Sequence, residues 1–237
     1  MPGADRVEAA DPVKISIIIP VLNEQDTLPG LLKCLQSARA RGHEVLLVDG
    51  GSEDDTLARA QGLVDRVVRS ERGRARQMNL GARHASGQVY WFLHADVILP
   101  NDALALLAAQ AAGNSLFWGR FDVRLTGRAP GLRMVEWMMN LRSRLSGIAT
   151  GDQGIFVSAR LFHAVGGYEQ IPIMEDIALS KRLKQLARPV AVRACLLVSS
   201  RYWERRGLWR TILLMWWMRF SYFIGISPAR LARWYSG

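Results

Sequence analysis

The 237-residue chain has only two cysteines, Cys34 and Cys195, far apart in apolar stretches and with no CxxC or Cys/His ligand spacing. A zinc ribbon and a disulfide framework are thereby excluded, and a reducing, cytoplasmic setting is expected. The first twelve residues, MPGADRVEAADP, contain no apolar run of signal-peptide length, so they predict a flexible terminus rather than an export signal or anchor. No GxGxxG or GxxxxGK[ST] loop follows any predicted strand, which argues against a dinucleotide-binding enzyme and a P-loop NTPase. Internal repeats, low-complexity segments and an interdomain linker are also missing. Acidic residues are scarce in one region: from position 177 onward there are twelve Lys/Arg and a single acid, Glu204. That tail accounts for the whole net charge of +10 and leaves the rest of the chain near neutrality.

What remains is a chain about half apolar, enough for a full core. KISIIIP (14–20) and EVLLVDGG (44–51) are continuously apolar and β-branched, as strands covered on both faces of a parallel sheet are. Between them Asn23, Asp26, Thr27 and Pro29 open an amphipathic helix that runs to about Ala40. The S-x-x-D spacing of Ser52 and Asp55 predicts the start of a second helix. RVVRS (66–70) reads as a third strand, 74–84 as a helix, and QVYWFLHAD (88–96) as a fourth strand. This alternation predicts a Rossmann-like α/β fold, a doubly wound, mostly parallel sheet with helices on both faces. Ligands of such sheets bind at the carboxyl ends of the strands, where Asn23, Glu24, Asp49, His94 and Asp96 fall.

Each polar cluster there admits a structural and a chemical reading. His94 and Asp96, two apart in an extended chain, either cap a turn or face one ion together. Asp49, followed by Gly50 and Gly51, ends a buried strand where a ligand can approach the backbone, whereas Glu53, Asp54 and Asp55 suit the first turn of a helix. Arg74, Gln77 and Gly81 lie on neighbouring turns, either as a solvated face or as a meeting point for a diphosphate at a helix start. A turn explains Gly151 and Gly154 but does not demand Asp152 and Gln153 between them. Glu175 and Asp176, at the start of an amphipathic helix, either complement its dipole or supply a general base.

Taken in order, SIIIPVLNE, VDGGSEDDT, GRARQMNLGA, FLHAD and GGY followed by MEDIALSKRL resemble glycosyltransferase family 2, of the GT-A fold, in its short stand-alone bacterial form. The likeness spans 13 to about 186. It implies a catalytic domain over 13–200 and a basic, Trp-rich helical extension over 201–237. It further implies that Pro20, Asn23, Glu24, Asp49 and Gly51 surround a nucleoside and that Arg74 and Gln77 lie along a diphosphate. His94, Ala95 and Asp96 stand where the family has its D-x-D motif, with Asp96 expected to bind Mg²⁺ or Mn²⁺. Asp176 matches the catalytic base, Glu175 its neighbour, and Asp152 with Gln153 the acceptor-side loop. His94 departs from the motif and removes one negative charge, so metal binding is expected to depend on the donor diphosphate. The resulting expectation is an inverting, metal-dependent transfer from a UDP-sugar, or secondarily a GDP-sugar, to a hydroxyl or phosphate acceptor, lipid-linked in one version. A nucleotidyltransferase and a non-catalytic nucleotide-sugar-binding module are the alternatives.

The extension holds five of the eight tryptophans. Arginine and tryptophan beside TILLMWWM suit a membrane interface more than nucleic acid. In 208–225, Arg210 and Arg219 are nine residues apart, about 180° around a helix. A spanning helix is disfavoured, because a central arginine costs ~2.5–3.5 kcal/mol on insertion. An interfacial helix with its arginines at anionic lipid phosphates is expected, against the alternative of packing on the catalytic domain or on a second copy of the chain.

Overall fold

The computed structural model describes residues 13–112 and 114–236; the expected flexible terminus, 1–12, lies outside them. The first half follows the predicted alternation: β1 (Ile15–Val21), α1 (Leu28–Ala40), β2 (Glu44–Asp49), α2 (Thr56–Ala60), β3 (Arg66–Arg69), α3 (Arg74–His84) and β4 (Val89–Phe92). The second half adds β5 (Val97–Ile98), α4 (Ala103–Ala111), β6 (Trp118–Leu125), α5 (Pro130–Ser146), β7 (Phe156–Ser158), α6 (Ala159–Ala164), α7 (Glu175–Leu186) and β8 (Val190–Val198). Three helices close the chain, α8 (Arg201–Arg206), α9 (Leu208–Phe223) and α10 (Pro228–Ser236).

The strands form one sheet in the order β3-β2-β1-β4-β7-β6-β8-β5. Pairing is parallel from β3 to β4 and between β6 and β8, and antiparallel elsewhere. The unbroken apolar run of β1 follows from burial on both sides. Ile15, Ile17 and Ile19 pack with Leu28, Leu31, Leu32 and Leu35 of α1, while Ile18 points the other way among Ala75, Met78 and Ala82 of α3. Where α3 crosses the sheet, a Cβ on Gly81 would lie 2.4 Å from Ile18 Cγ2 and 3.0 Å from Val48 Cγ2. Gly81→Ala is therefore expected to destabilise the fold by about 1–3 kcal/mol despite the better helix propensity of alanine, a loss readable by urea denaturation.

Two expectations are corrected. The fourth strand stops at Phe92, not Asp96: Leu93 N–H makes the last bond to β1, on the Ile18 carbonyl at 3.1 Å, and the chain then turns toward β5 at the opposite sheet edge. His94 and Asp96 thus lie on a loop beyond the strand. Ser52 does not open α2, whose N-cap is Asp55. Asp54 instead takes the Thr56 N–H at 3.0 Å, and the Ser52 hydroxyl accepts the Asn23 N–H at 3.0 Å. Cys34 in α1 and Cys195 in β8 are free and exposed.

The second half is fastened through α5. A bulge between Phe121 and Asp122 brings the Asp122 carboxylate between Arg120, itself 2% exposed, and Arg144 of α5. Asn140 of α5 pairs with Val123 on both its backbone N–H and its carbonyl, each at 3.0 Å. These bonds fix the azimuth of α5 against β6, and with it the direction in which the next polar residue of the helix, Arg142, can reach.

Candidate active site

A cleft of about 1190 Å³ opens beyond the ends of β1 and β4, walled on one side by the loops after the strands and on the other by α5, α7 and α9. Pro20, Glu24, Arg74, Gln77, His94, Ala95, Asp96, Asp152, Glu175 and Asp176 all line it.

The 150–154 loop is its centre. Thr150 caps a 3-10 turn, with Gln153 Oε1 accepting the Thr150 N–H at 3.1 Å. Gly151 then donates its N–H to Asp176 Oδ2 at 3.0 Å, while the other Asp176 oxygen takes the Ile177 N–H at 2.7 Å. A side chain at 151 would strike the imidazole, since its Cβ would sit 2.6 Å from His94 Nε2. The glycine is what lets His94, Asp152 and Asp176 close on one point. His94 Nδ1 stands 3.4 Å from Asp152 Oδ1. Burial works to raise the Asp152 carboxyl, but the His94 hydrogen bond and charge, reinforced by Arg74 and Arg219, outweigh it and hold the group below its ordinary value.

Glu175 and Asp176 begin α7, after Met174 in a left-handed turn at φ 68°. Ser180 holds this helix to the loop through both polar groups of Ala149, at 3.1 and 3.2 Å. Glu175 is 8% exposed. Burial, and next the Asp176 charge, push its carboxyl up to about 7. Tyr168 of the GGY segment is buried nearby; desolvation and then these carboxylates push its hydroxyl well above the usual range. Its loop is held by Asn79 of α3, which pairs with the Tyr168 N–H and carbonyl, both at 2.8 Å.

Asp96 differs from its neighbours. Among the described residues no donor bonds its carboxylate, which leaves both oxygens for a ligand. No cluster of three or more His, Cys, Asp or Glu able to hold a metal occurs among the described residues. One or two carboxylates supplemented by substrate phosphates is nevertheless the ordinary way Mg²⁺ is bound, and the Asp96 corner fits that mode.

Four expected site residues are not brought to the cleft. Asp49, 2% exposed, accepts the N–H groups of Gly51 (3.2 Å) and Ser52 (3.0 Å) and so ties its own loop. Gly51 supplies the positive φ of that loop, 94°. Asn23 is a splice between the first two loops, its Oδ1 accepting the Glu53 N–H at 2.9 Å. Gln153 is wholly buried beneath the turn it caps. Gln77 reaches the cleft, but its amide nitrogen is committed to the Val21 and Val48 carbonyls, at 2.9 and 2.8 Å, where it clamps the ends of β1 and β2.

Two cleft residues escaped the sequence reading. Arg142 of α5 and Arg219 of α9 both line the wall beside Asp152 and Asp176. The expected placement of Arg219 at lipid phosphates is thereby corrected: it faces inward, because α9 turns Thr211, Ile212, Met218 and Ser221 to the protein. The only sequence signal was its position, on the side of the helix opposite Arg210 in a segment otherwise nearly all apolar.

Residues 16–162 match the model of glycosyl transferase family 2. An uncharacterised glycosyltransferase of Mycobacterium tuberculosis is 31% identical over 193 residues, which cover 77% of this chain and 73% of that protein. The chain belongs to glycosyltransferase family 2 and is a glycosyltransferase. That sets aside the nucleotidyltransferase and the non-catalytic module. An undecaprenyl-phosphate 4-deoxy-4-formamido-L-arabinose transferase of Klebsiella pneumoniae is 32% identical over 165 residues, 64% of this chain but only half of that protein. In fold, the chain is similar to the mannosyltransferase PcManGT of Pyrobaculum calidifontis, solved with GDP-Man and Mn²⁺. The TM-score is 0.60 at 19% identity, over 79% of this chain and 57% of that one. The architecture is thus the GT-A fold with a helical C-terminus.

Proposed function

We propose that the chain transfers a sugar from a nucleotide-diphosphate donor, UDP-linked in preference to GDP-linked, to an acceptor, with inversion at the anomeric carbon. The observation that carries this reading is the meeting of an unbonded carboxylate, Asp96, with the Glu175-Asp176 pair across one cleft at the carboxyl ends of parallel strands. Asp176 is the base: it takes the acceptor proton as the acceptor oxygen bonds to the anomeric carbon and the bond to the donor phosphate breaks. One base and one displacement give inversion. Arg74, at the positive end of α3, meets the donor diphosphate, and Pro20 and Glu24 border the nucleoside. Asp96 would hold a divalent cation, with His94 beside it as a hydrogen-bond donor to the donor nucleotide. Such an ion supplies positive charge that stabilises the departing diphosphate. Among the relatives, the mannosyltransferase bound to GDP-Man and Mn²⁺ supports a metal-dependent donor.

Nucleotide sugars screened by thermal shift with and without Mn²⁺ test this reading. The right donor is expected to stabilise the protein only when metal is present, and Asp96→Ala to erase the metal-dependent part of the shift. A donor that stabilises both proteins equally without metal would defeat the assignment of Asp96.

The outward face of α9 favours a membrane-surface partner. Trp209, Leu213, Trp216, Trp217, Phe220, Phe223 and Ile224 form a helical stripe, each more than half exposed. Arg201 and Arg210 flank it in the basic tail. No helix among the described residues is long and apolar enough to cross a membrane. A stripe of this kind suits the interface of an anionic bilayer, with tryptophans at headgroup depth. Flotation with phosphatidylglycerol liposomes at low salt should carry the protein upward. The double change Trp216→Ala and Trp217→Ala should weaken partitioning by about tenfold or more. Failure of the unaltered protein to float would remove the membrane partner.

A further inference from the structure

Resting on the sugar-transfer reading, we propose that Arg142 and Arg219 form an anion subsite for a phosphate group carried by the acceptor. The two side chains come from helices distant in sequence that pack together, α5 and α9. Arg142 spends one nitrogen on the Ile148 carbonyl, 3.3 Å away. Its Nε and Nη2 are buried and have no partner among the described residues. Arg219 projects from the inner side of a helix whose outer side is apolar, and it lines the same cleft. Neither guanidinium forms an ion pair with a described carboxylate, although Asp122 takes two of the arginines close by.

A guanidinium withdrawn from water is costly unless its donors are taken, and a second cation beside it adds repulsion. Burial first, and then Arg219, push the Arg142 side chain down to about 9, so that it remains charged at neutral pH. The arrangement is stable in a working enzyme when an anion arrives between the two forks. A phosphate suits it better than a carboxylate, because its oxygens can accept from both guanidiniums at once.

Position separates this subsite from the donor diphosphate. Both arginines interact with Asp176, the candidate base, and with Asp152. Arg74 enters the cleft from the start of α3, a different element from the α5 and α9 that carry these two arginines. The phosphate therefore sits on the side from which the acceptor is deprotonated. The wall beside it is apolar, with Trp137, Leu141, Leu145 and Met215. Either a lipid phosphate or a soluble phosphorylated acceptor carries the required chemistry.

The test is calorimetric titration of the full chain with inorganic phosphate, farnesyl phosphate, farnesol and UDP. Arg142→Met and Arg219→Met are each expected to weaken binding of the two phosphate probes by about tenfold or more, with UDP affinity kept within about threefold. Without ligand, Arg142→Met should be at least as heat-stable as the unaltered protein, since it removes a buried guanidinium with two unmet donors. Should it fail to fold, Arg142→Lys keeps the charge, loses the fork and is expected to show the same selective loss. Farnesyl phosphate binding well above both phosphate and farnesol marks a lipid source, and equal binding of the two phosphates marks a soluble one; both support the subsite. Phosphate probes that bind the variants as well as the unaltered chain would overturn it, as would a parallel loss of UDP affinity, which would return the arginines to the donor. Failure of the unaltered protein to bind UDP or any nucleotide sugar would instead sink the sugar-transfer reading, while the phosphate titrations would still report on the arginines.

Discussion

Asp176→Asn should lower the turnover number by about 10²–10⁴-fold while leaving donor affinity almost unchanged. The reason lies in what each carboxylate oxygen already does. One accepts from Gly151 and the other from Ile177, so the side chain is held rigidly by two backbone donors and presents its remaining lone pairs to the cleft. Asparagine keeps one acceptor and sets an NH₂ against the other donor. The structural cost is on the order of 1–2 kcal/mol, one lost bond and one mismatch, visible as a modest drop in melting temperature. Proton abstraction is lost altogether, since an amide cannot take the acceptor proton. Steady-state donor consumption, measured beside a melting curve, separates the two effects. Turnover within about threefold of the unaltered enzyme would show that another group is the base.

Glu175→Gln is expected to stabilise the protein at alkaline pH. The folded-state value of this carboxyl is raised from 4.5 to about 7 by burial and by the Asp176 charge. Between those two values the folded chain holds a proton that the unfolded chain has released. Stability is therefore fully present below about 4.5 and falls as pH rises through about 7. The raised value corresponds to ~3 kcal/mol of penalty at pH 8 as an upper bound. Glutamine has no charge to bury. The advantage of the variant should then be small near pH 4.5, grow up to about 7 and level off above it, as read by urea denaturation across pH. A difference independent of pH would mean that Glu175 is not held protonated by its surroundings.

How much of this could be read in the sequence depended on burial. The strands β1 and β2, covered on both faces, announce themselves as unbroken apolar runs, and α3 has the predicted bounds of 74–84. The second half of the sheet does not. Its strand β6 carries Arg120 and Asp122 in the interior, a neutralised pair that only tertiary contact explains, and β5 and β7 are two and three residues long. The same divide runs through the site. Asp96, Asp152, Glu175 and Asp176 lie in loops or at a helix start, where side-chain type and strand end together indicate a cleft. Asp49 and Gln77 share that chemistry and location, but backbone N–H and C=O groups left unpaired at the ends of β1 and β2 claim their polar atoms. Arg142 and Arg219 are legible only from the packing of α5 against α9, since neither helix marks its inward arginine by spacing alone.

The double-sided character of α9 joins two events that are separate in most soluble enzymes. One side of this single helix closes the cleft with Arg219 and Met218, while the other presents six large apolar side chains outward, with Ile224 just past its end. Seating that outer side on a bilayer would fix the tilt of the inner side as well, so adsorption and alignment of the cleft would be one motion. An acceptor carried in the same leaflet would then be met by lateral diffusion in two dimensions, and the encounter rate would scale with its surface density rather than with its bulk concentration.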